Sequence, residues 1–263
     1  MCYDRGVRLL PCLVLVIACS QKRPEEPARG SAPPAPVVVA VAADAAAPVE
    51  PPVDAAMAVV SAPAIVDAPM VWNAEREKLT LAYRTRHSDA DAKDVAIEPK
   101  VIVLHYTAGA TAKSTRTYFD NIRIEAERAE LAAAGAVNVS SHYVIDRDGT
   151  IYRLQPETRF ARHCIGLNHI SIGIENAGDG DLGARSKHPL TEAQVAANVA
   201  LVRYLASAYG ITHLMGHHEV GKLVKHPYYR EREPKYFADK PDPGPAFMKR
   251  VREGVADLGL AQP

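Results

Sequence analysis

Half of the chain's 20 prolines stand between Ser20 and Met70, interleaved with Ala and Val and without one aromatic residue. Such a stretch cannot bury enough apolar area to offset the entropy of ordering it. Any packed core must therefore be built from residues 71–263, which leaves room for one enzyme-sized domain. The prolines favour a stiff, extended tether over 19–70 that at about 3 Å per residue reaches on the order of 100 Å. Composition does not separate a tether with a purpose from a passive spacer.

Ahead of it, residues 1–18 read as an export signal: Arg5 and Arg8 precede an apolar run from Leu9 to Ala18 that is too short to span a bilayer. Val16-Ile17-Ala18-Cys19 resembles the lipobox of bacterial lipoproteins, in which cleavage leaves a lipid-modified Cys, here Cys19, as the new N-terminus. An ordinary signal cut near Ala18 is the alternative. Ser20 follows Cys19 where a retention-type Asp is absent, so the expected location is the periplasmic side of a Gram-negative outer membrane, with the membrane as a partner through the lipid. Cys2 and Cys12 leave with the signal, and Cys164 alone remains, so no intramolecular disulfide can form. The 31 basic and 31 acidic residues cancel, which gives no field for nucleic acid.

Within the domain, Asn73 to His87 reads as a short helix or irregular arm, and Val101 to Tyr106 as a strand covered on both faces. Thr115 to Ala134 reads as one helix, with Tyr118, Phe119 and Ile122 on its packed side. Ser141 to Leu154 has the pattern of a hairpin turning at Asp146 to Gly149, and Ile170 to Ile174 is a third strand. Thr191 to Gln194 forms a capping box with Leu190 and Val195 as a staple, opening a helix that stops near Gly210. Thr212 to Met215 gives a short strand and Pro245 to Gly254 a terminal helix. The order predicts an α/β domain, a mixed central β-sheet with helices packed on it.

The order of motifs is more specific than any member: His105 closing an apolar strand, Ser141-His142-Tyr143, Ile172-Gly173-Ile174-Glu175, Gly216-His217, and Lys240-Pro241-Asp242-Pro243-Gly244. From about Val71 to Leu258 it resembles the zinc-dependent N-acetylmuramoyl-L-alanine amidases of the amidase-2 and peptidoglycan-recognition type. The resemblance implies a Zn2+ cofactor held by His105, His217 and Asp242, a groove on one face of the sheet, and peptidoglycan or muropeptides as substrate. Two imidazoles and a carboxylate leave zinc one open position for water. His218 competes with His217, and strand alternation would let only one face the metal. The resemblance further makes Glu175 the proton shuttle and Lys240 the partner of the developing oxyanion. Pro241 departs from the family's usual Thr.

The loop from His163 to His169 matches a groove border, so His163 and Asn168 are expected to contact substrate, with Asn176 a polar contact beside Glu175. Arg162, where relatives often carry Trp, adds a cation suited to a stem-peptide carboxylate. A Cys164-His163 nucleophile is disfavoured because adjacent residues of an extended segment face apart. Residues 222–239 read as a groove-flanking loop or a decorative insertion. The expected chain is a monomeric enzyme. The rivals are a peptidoglycan-binding module without activity and a zinc amidase directed at another amide.

Overall fold

The computed structural model describes residues 61–263. The signal 1–18, the lipidation candidate Cys19 and the linker as far as residue 60 lie outside the described residues. In chain order the elements are β1 (Ile65–Asp67), α1 (Ala74–His87), β2 (Val101–Tyr106), α2 (Ala112–Asp120), α3 (Ala129–Ala134), β3 (Tyr143–Ile145), β4 (Ile151–Arg153), β5 (Ser171–Asn176), α4 (Glu192–Tyr209), β6 (His213–Gly216), a 3-10 helix His217–Leu223, α5 (Pro245–Gly254) and a second 3-10 helix Ala256–Leu258. The strands form one sheet in the order β1-β4-β3-β5-β2-β6. From β3 through β5 and β2 to β6 every pairing is parallel, while β4 runs antiparallel to β3 and carries β1 with it. This is the mixed sheet expected from the sequence. Among the described residues no helix is long and apolar enough to cross a membrane.

Alternation along β2 builds two cores. Ile102 and Leu104 join Leu201 and Leu205 of α4 and Phe247 and Val251 of α5 on one face. Val101 and Val103 point the other way, against Leu167, Met215, Val220 and Leu223. The capping box at Thr191 is complete, Leu190 and Val195 are both buried, and Gly210 ends α4 in the left-handed region at φ 60°, where a side chain would be strained.

Two expectations fail. The linker does not run to Met70: Ile65, Val66 and Asp67 pair with Ile151, Tyr152 and Arg153, and Met70 packs with Phe119 and Leu154. Averaged proline content hid a β-branched pair, Ile65-Val66, that suits a sheet edge. The single helix over 115–134 is in fact two, α2 and α3. Arg76, fully buried, donates to the carbonyls of Phe119, Asp120 and Asn121 at 2.6, 3.2 and 2.8 Å. That satisfies the orphan carbonyls at the end of α2 from outside the segment. Arg162 does the same for α3 and the residues after it, donating to the carbonyls of Leu131, Gly135 and Val137.

Candidate active site

Three parallel strands bring their carboxyl ends to one edge, the place where open α/β sheets bind ligands. The register sets His105 beside Glu175 and Leu104 beside Gly216, so the next residue, His217, arrives level with His105. Strand β6 stops at Gly216 and a 3-10 helix begins, so the choice between the two histidines is not made by strand alternation. It is made by the turn, which sends the His217 ring to Asp242. His218 instead holds the main chain: its backbone N–H donates to the Asp242 carbonyl at 2.8 Å, and its ring lies over Gly216, where a Cβ would stand 2.7 Å away.

His105 Nδ1 and His217 Nδ1 stand 3.1 and 3.2 Å from the same Asp242 Oδ2. One ligand atom from each of the three residues lies within 4.8 Å of the others, and all three residues are buried. Ligands about 2.0–2.1 Å from a tetrahedral zinc are separated by roughly 3.3 Å, so these residues fit that ion. The charge states of His105 and Asp242 fit as well. Burial lowers His105 to about 4, with the neighbouring His217 and then Lys240 adding to the effect. Burial alone would raise the Asp242 carboxyl, but the contacts with His105 and His217 outweigh it and hold the group well below the usual carboxylate range. Neutral imidazole and ionised carboxylate are the forms that bind metal. The turn that presents Asp242 is anchored by Asp181, which accepts from Ala246 and Phe247 at the start of α5. Gly244 at φ 101° leaves no room for a side chain there, since a Cβ would meet Asp181 at 2.3 Å.

The cluster opens on a cavity of about 520 Å³ that Glu175 and Lys240 also line. Glu175 Oε2 is buried without a hydrogen-bond partner among the described residues. Burial, with the charge of Asp242 second, raises this carboxyl to about 8, so it can hold a proton near neutral pH. His163 lies in the same wall with Nδ1 3.0 Å from His105 Nε2. Tyr118, Phe119, Leu131 and Tyr236 add aromatic and apolar surface to the wall.

Other expected contacts are not where the sequence put them. Asn176 is fully buried and faces α4, donating to the His105 carbonyl at 3.0 Å and accepting from Asn198 at 2.7 Å; alternation along β5 turns it away from the Glu175 side. Asn168 gives its Oδ1 to the backbone N–H groups of His163 and Cys164, so it shapes the loop. Arg162 commits both terminal nitrogens of its guanidinium to the carbonyls of Leu131, Gly135 and Val137 and to Tyr236 Oη, and stacks on the Tyr83 ring, so these donors hold the cavity wall together. Cys164 is buried, and burial pushes its thiol up, away from the nucleophilic thiolate. Residues 222–239 are no decoration: Glu231 reaches the buried His87 at 2.9 Å, Arg230 N–H donates to the Gly166 carbonyl, and Tyr236 joins the cavity wall. Sequence reading missed Ser171, whose Oγ is 3.1 Å from His163 Nε2. Its signal was available: Ser171, Gly173 and Glu175 share one strand face, small, small and acidic, a floor on which a ring can lie.

The family model Amidase_2, described as N-acetylmuramoyl-L-alanine amidase, matches residues 96–245. The endolysin of Escherichia phage T7 is 34% identical over 86 residues, 33% of this chain and 57% of that protein. The endolysin of Enterobacteria phage T3 is 33% identical over the same shares. The chain thus spans a little over half the length of the curated relatives it matches. Among solved structures, the endolysin amidase LysCS from Clostridium intestinale URNW is 22% identical, covering 77% of this chain and 99% of that one with a TM-score of 0.47. The amidase AmiD from E. coli, in complex with an anhydro-muropeptide, is 24% identical over 65% of this chain and 61% of that one, with a TM-score of 0.41.

Proposed function

This chain belongs to the Amidase_2 family of N-acetylmuramoyl-L-alanine amidases, and from that premise we propose that it is a zinc-dependent hydrolase of the amide between N-acetylmuramic acid and L-alanine in peptidoglycan or muropeptides. The observation that carries the proposal is the meeting of His105, His217 and Asp242 at one buried point on the cavity that Glu175 and Lys240 also line. Zinc held by those three residues would supply Lewis-acid activation of water and of the amide carbonyl. Glu175 keeps a free buried oxygen; its ionised form takes the proton of the attacking water, and the protonated form, which its raised pKa favours, delivers that proton to the departing nitrogen. Lys240 sets an ammonium beside the oxygen on which negative charge develops. The aromatic residues of the cavity wall suit a sugar or peptide lying against them.

Digestion of sacculi and of soluble muropeptides by the purified chain, with products identified by mass, tests the proposal. Free L-alanyl stem peptides should appear with zinc and vanish after chelation and dialysis. Binding without cleavage in the presence of zinc would instead make the chain a recognition module. We further propose, on Val16-Ile17-Ala18-Cys19, an exported lipoprotein anchored at Cys19, for which Cys19→Ala should yield unprocessed or soluble protein.

A further inference from the structure

His105 has two ring nitrogens, and only a bare one can bind a cation. Its Nδ1 faces Asp242, while its Nε2 faces His163 Nδ1 at 3.0 Å. The proton count can be followed outward from there. Ser171 Oγ commits its one hydrogen to the Leu167 carbonyl at 2.7 Å, so it can only accept from His163 Nε2, 3.1 Å away. The Ser171 carbonyl, also an acceptor, lies 3.5 Å from the same nitrogen. His163 Nε2 therefore carries hydrogen. With that ring neutral, its Nδ1 is a lone pair, and His105 Nε2 must supply the hydrogen between the two rings. His105 Nδ1 is then bare and faces a carboxylate oxygen across 3.1 Å, two lone pairs that a cation between them would satisfy.

The placement of His163 is itself built. Its ring lies on Gly173, where a Cβ would come within 2.7 Å of it. Asn168 Oδ1 fixes the loop by accepting from the N–H groups of His163 and Cys164 at 2.8 and 2.7 Å. We infer that His163 is a positioning residue, the end of a Leu167–Ser171–His163 relay that fixes the His105 tautomer and presents Nδ1 to the metal. The inference rests on the zinc-dependent reading of the site, and it reassigns His163, Asn168 and the glycine of Ile172-Gly173-Ile174-Glu175 to preparing a metal ligand. Outer partners of this kind contribute about 10–100-fold to metal affinity.

Zinc affinity of the purified chain, measured by competition with a chromogenic chelator, should fall roughly 10–100-fold in His163→Leu, which removes the acceptor at similar size. His163→Asn, which keeps a carbonyl acceptor close to the lost Nδ1, should restore most of it. Long-range nitrogen–proton NMR of histidine-labelled chain should show His163 with hydrogen on Nε2 and a bare Nδ1. Unchanged zinc affinity in a folded His163→Leu chain overturns the inference and leaves the zinc reading intact. A wild-type chain that binds no zinc overturns that reading, and the His163 tautomer, read in the zinc-free chain, still decides the relay. A His163 ring with hydrogen on Nδ1 overturns it outright, whether or not the Leu variant folds.

Discussion

At the scale of single residues, Glu175 and His105 are partners in the sheet register and yet are suited to different tasks. His105 is tied to His163 at Nε2 and turns Nδ1 to Asp242, whereas Glu175 keeps one buried oxygen without a partner among the described residues. A free oxygen on a group raised to about 8 fits proton transfer better than metal binding. Glu175→Gln should therefore lower turnover by roughly 100-fold or more while zinc content, read by metal analysis, stays at the wild-type level; loss of zinc would make Glu175 a ligand. Lys240 lies on the cavity wall two positions from Asp242. An ammonium that meets charge arising only in the transition state acts on kcat and leaves KM nearly alone. Lys240→Met should cost about 100-fold in kcat, the scale of one lost oxyanion partner, with little change in muropeptide binding by calorimetry. Unaltered turnover would remove it from the mechanism.

At the scale of elements, the break between α2 and α3 sets the shape of the cavity, because Phe119 and Leu131, on either side of it, both line the wall. The Glu, Arg and Ala content of the segment favours helix throughout. Its end at Asp120 is set by Arg76 of α1, more than forty residues earlier in the chain, whose guanidinium meets three carbonyls there. Arg76→Met should leave those carbonyls without donors and cost roughly 2–4 kcal/mol, read by urea denaturation, with KM raised as the aromatic wall loosens. Equal stability of the variant would show that water satisfies the helix end. The two histidines after β6 teach the same lesson at shorter range, since the strand ends one residue before the alternation argument would apply.

At the scale of the whole molecule, the domain begins earlier than composition indicates. Asp67 holds Arg153 at 2.7 Å, and Val71 N–H donates to Asp120 at 2.8 Å, so the segment from Ile65 to Val71 ties the sheet edge to α2. A chain starting at Val71 should melt several degrees lower than one starting at Ser61, as a loss of about 1 kcal/mol or more requires; equal melting of the two would return Ile65 to Met70 to the linker. Buried neutral histidines give the fold an acid limit. His142 donates from Nε2 to the Arg159 carbonyl and accepts from Gly173 N–H at Nδ1, and burial lowers it to about 4 from an ordinary 6.5. The unfolded chain thus binds its proton first. This contribution is fully present above pH 6.5 and is lost as pH falls from 6.5 to 4, about 3 kcal/mol for this ring. Denaturation of the zinc-free chain at pH 7.5 and pH 5 should show more than half of that loss; equal stability would mean that the ring is already charged in the fold.

The sequence by itself determined the elements whose signals are local: the apolar run of β2, the capping box at Thr191, the hairpin turn at Asp146 to Gly149, and the order of His105, Glu175, His217, Lys240 and Asp242. Each is written within a few residues, by periodicity, a cap or a turn. What each polar side chain is committed to was decided only by tertiary structure. Arg162 looked available for a substrate and Asn168 and Asn176 for a groove, yet their hydrogen bonds are taken by the carbonyls in and after α3, the backbone of the 163–168 loop, and α4 with β2. Burial makes those partners obligatory, because a polar group taken out of water must be satisfied by whatever the fold brings beside it. For Arg162, Asn176 and Arg76 those neighbours lie far off in the chain, where no local pattern points to them.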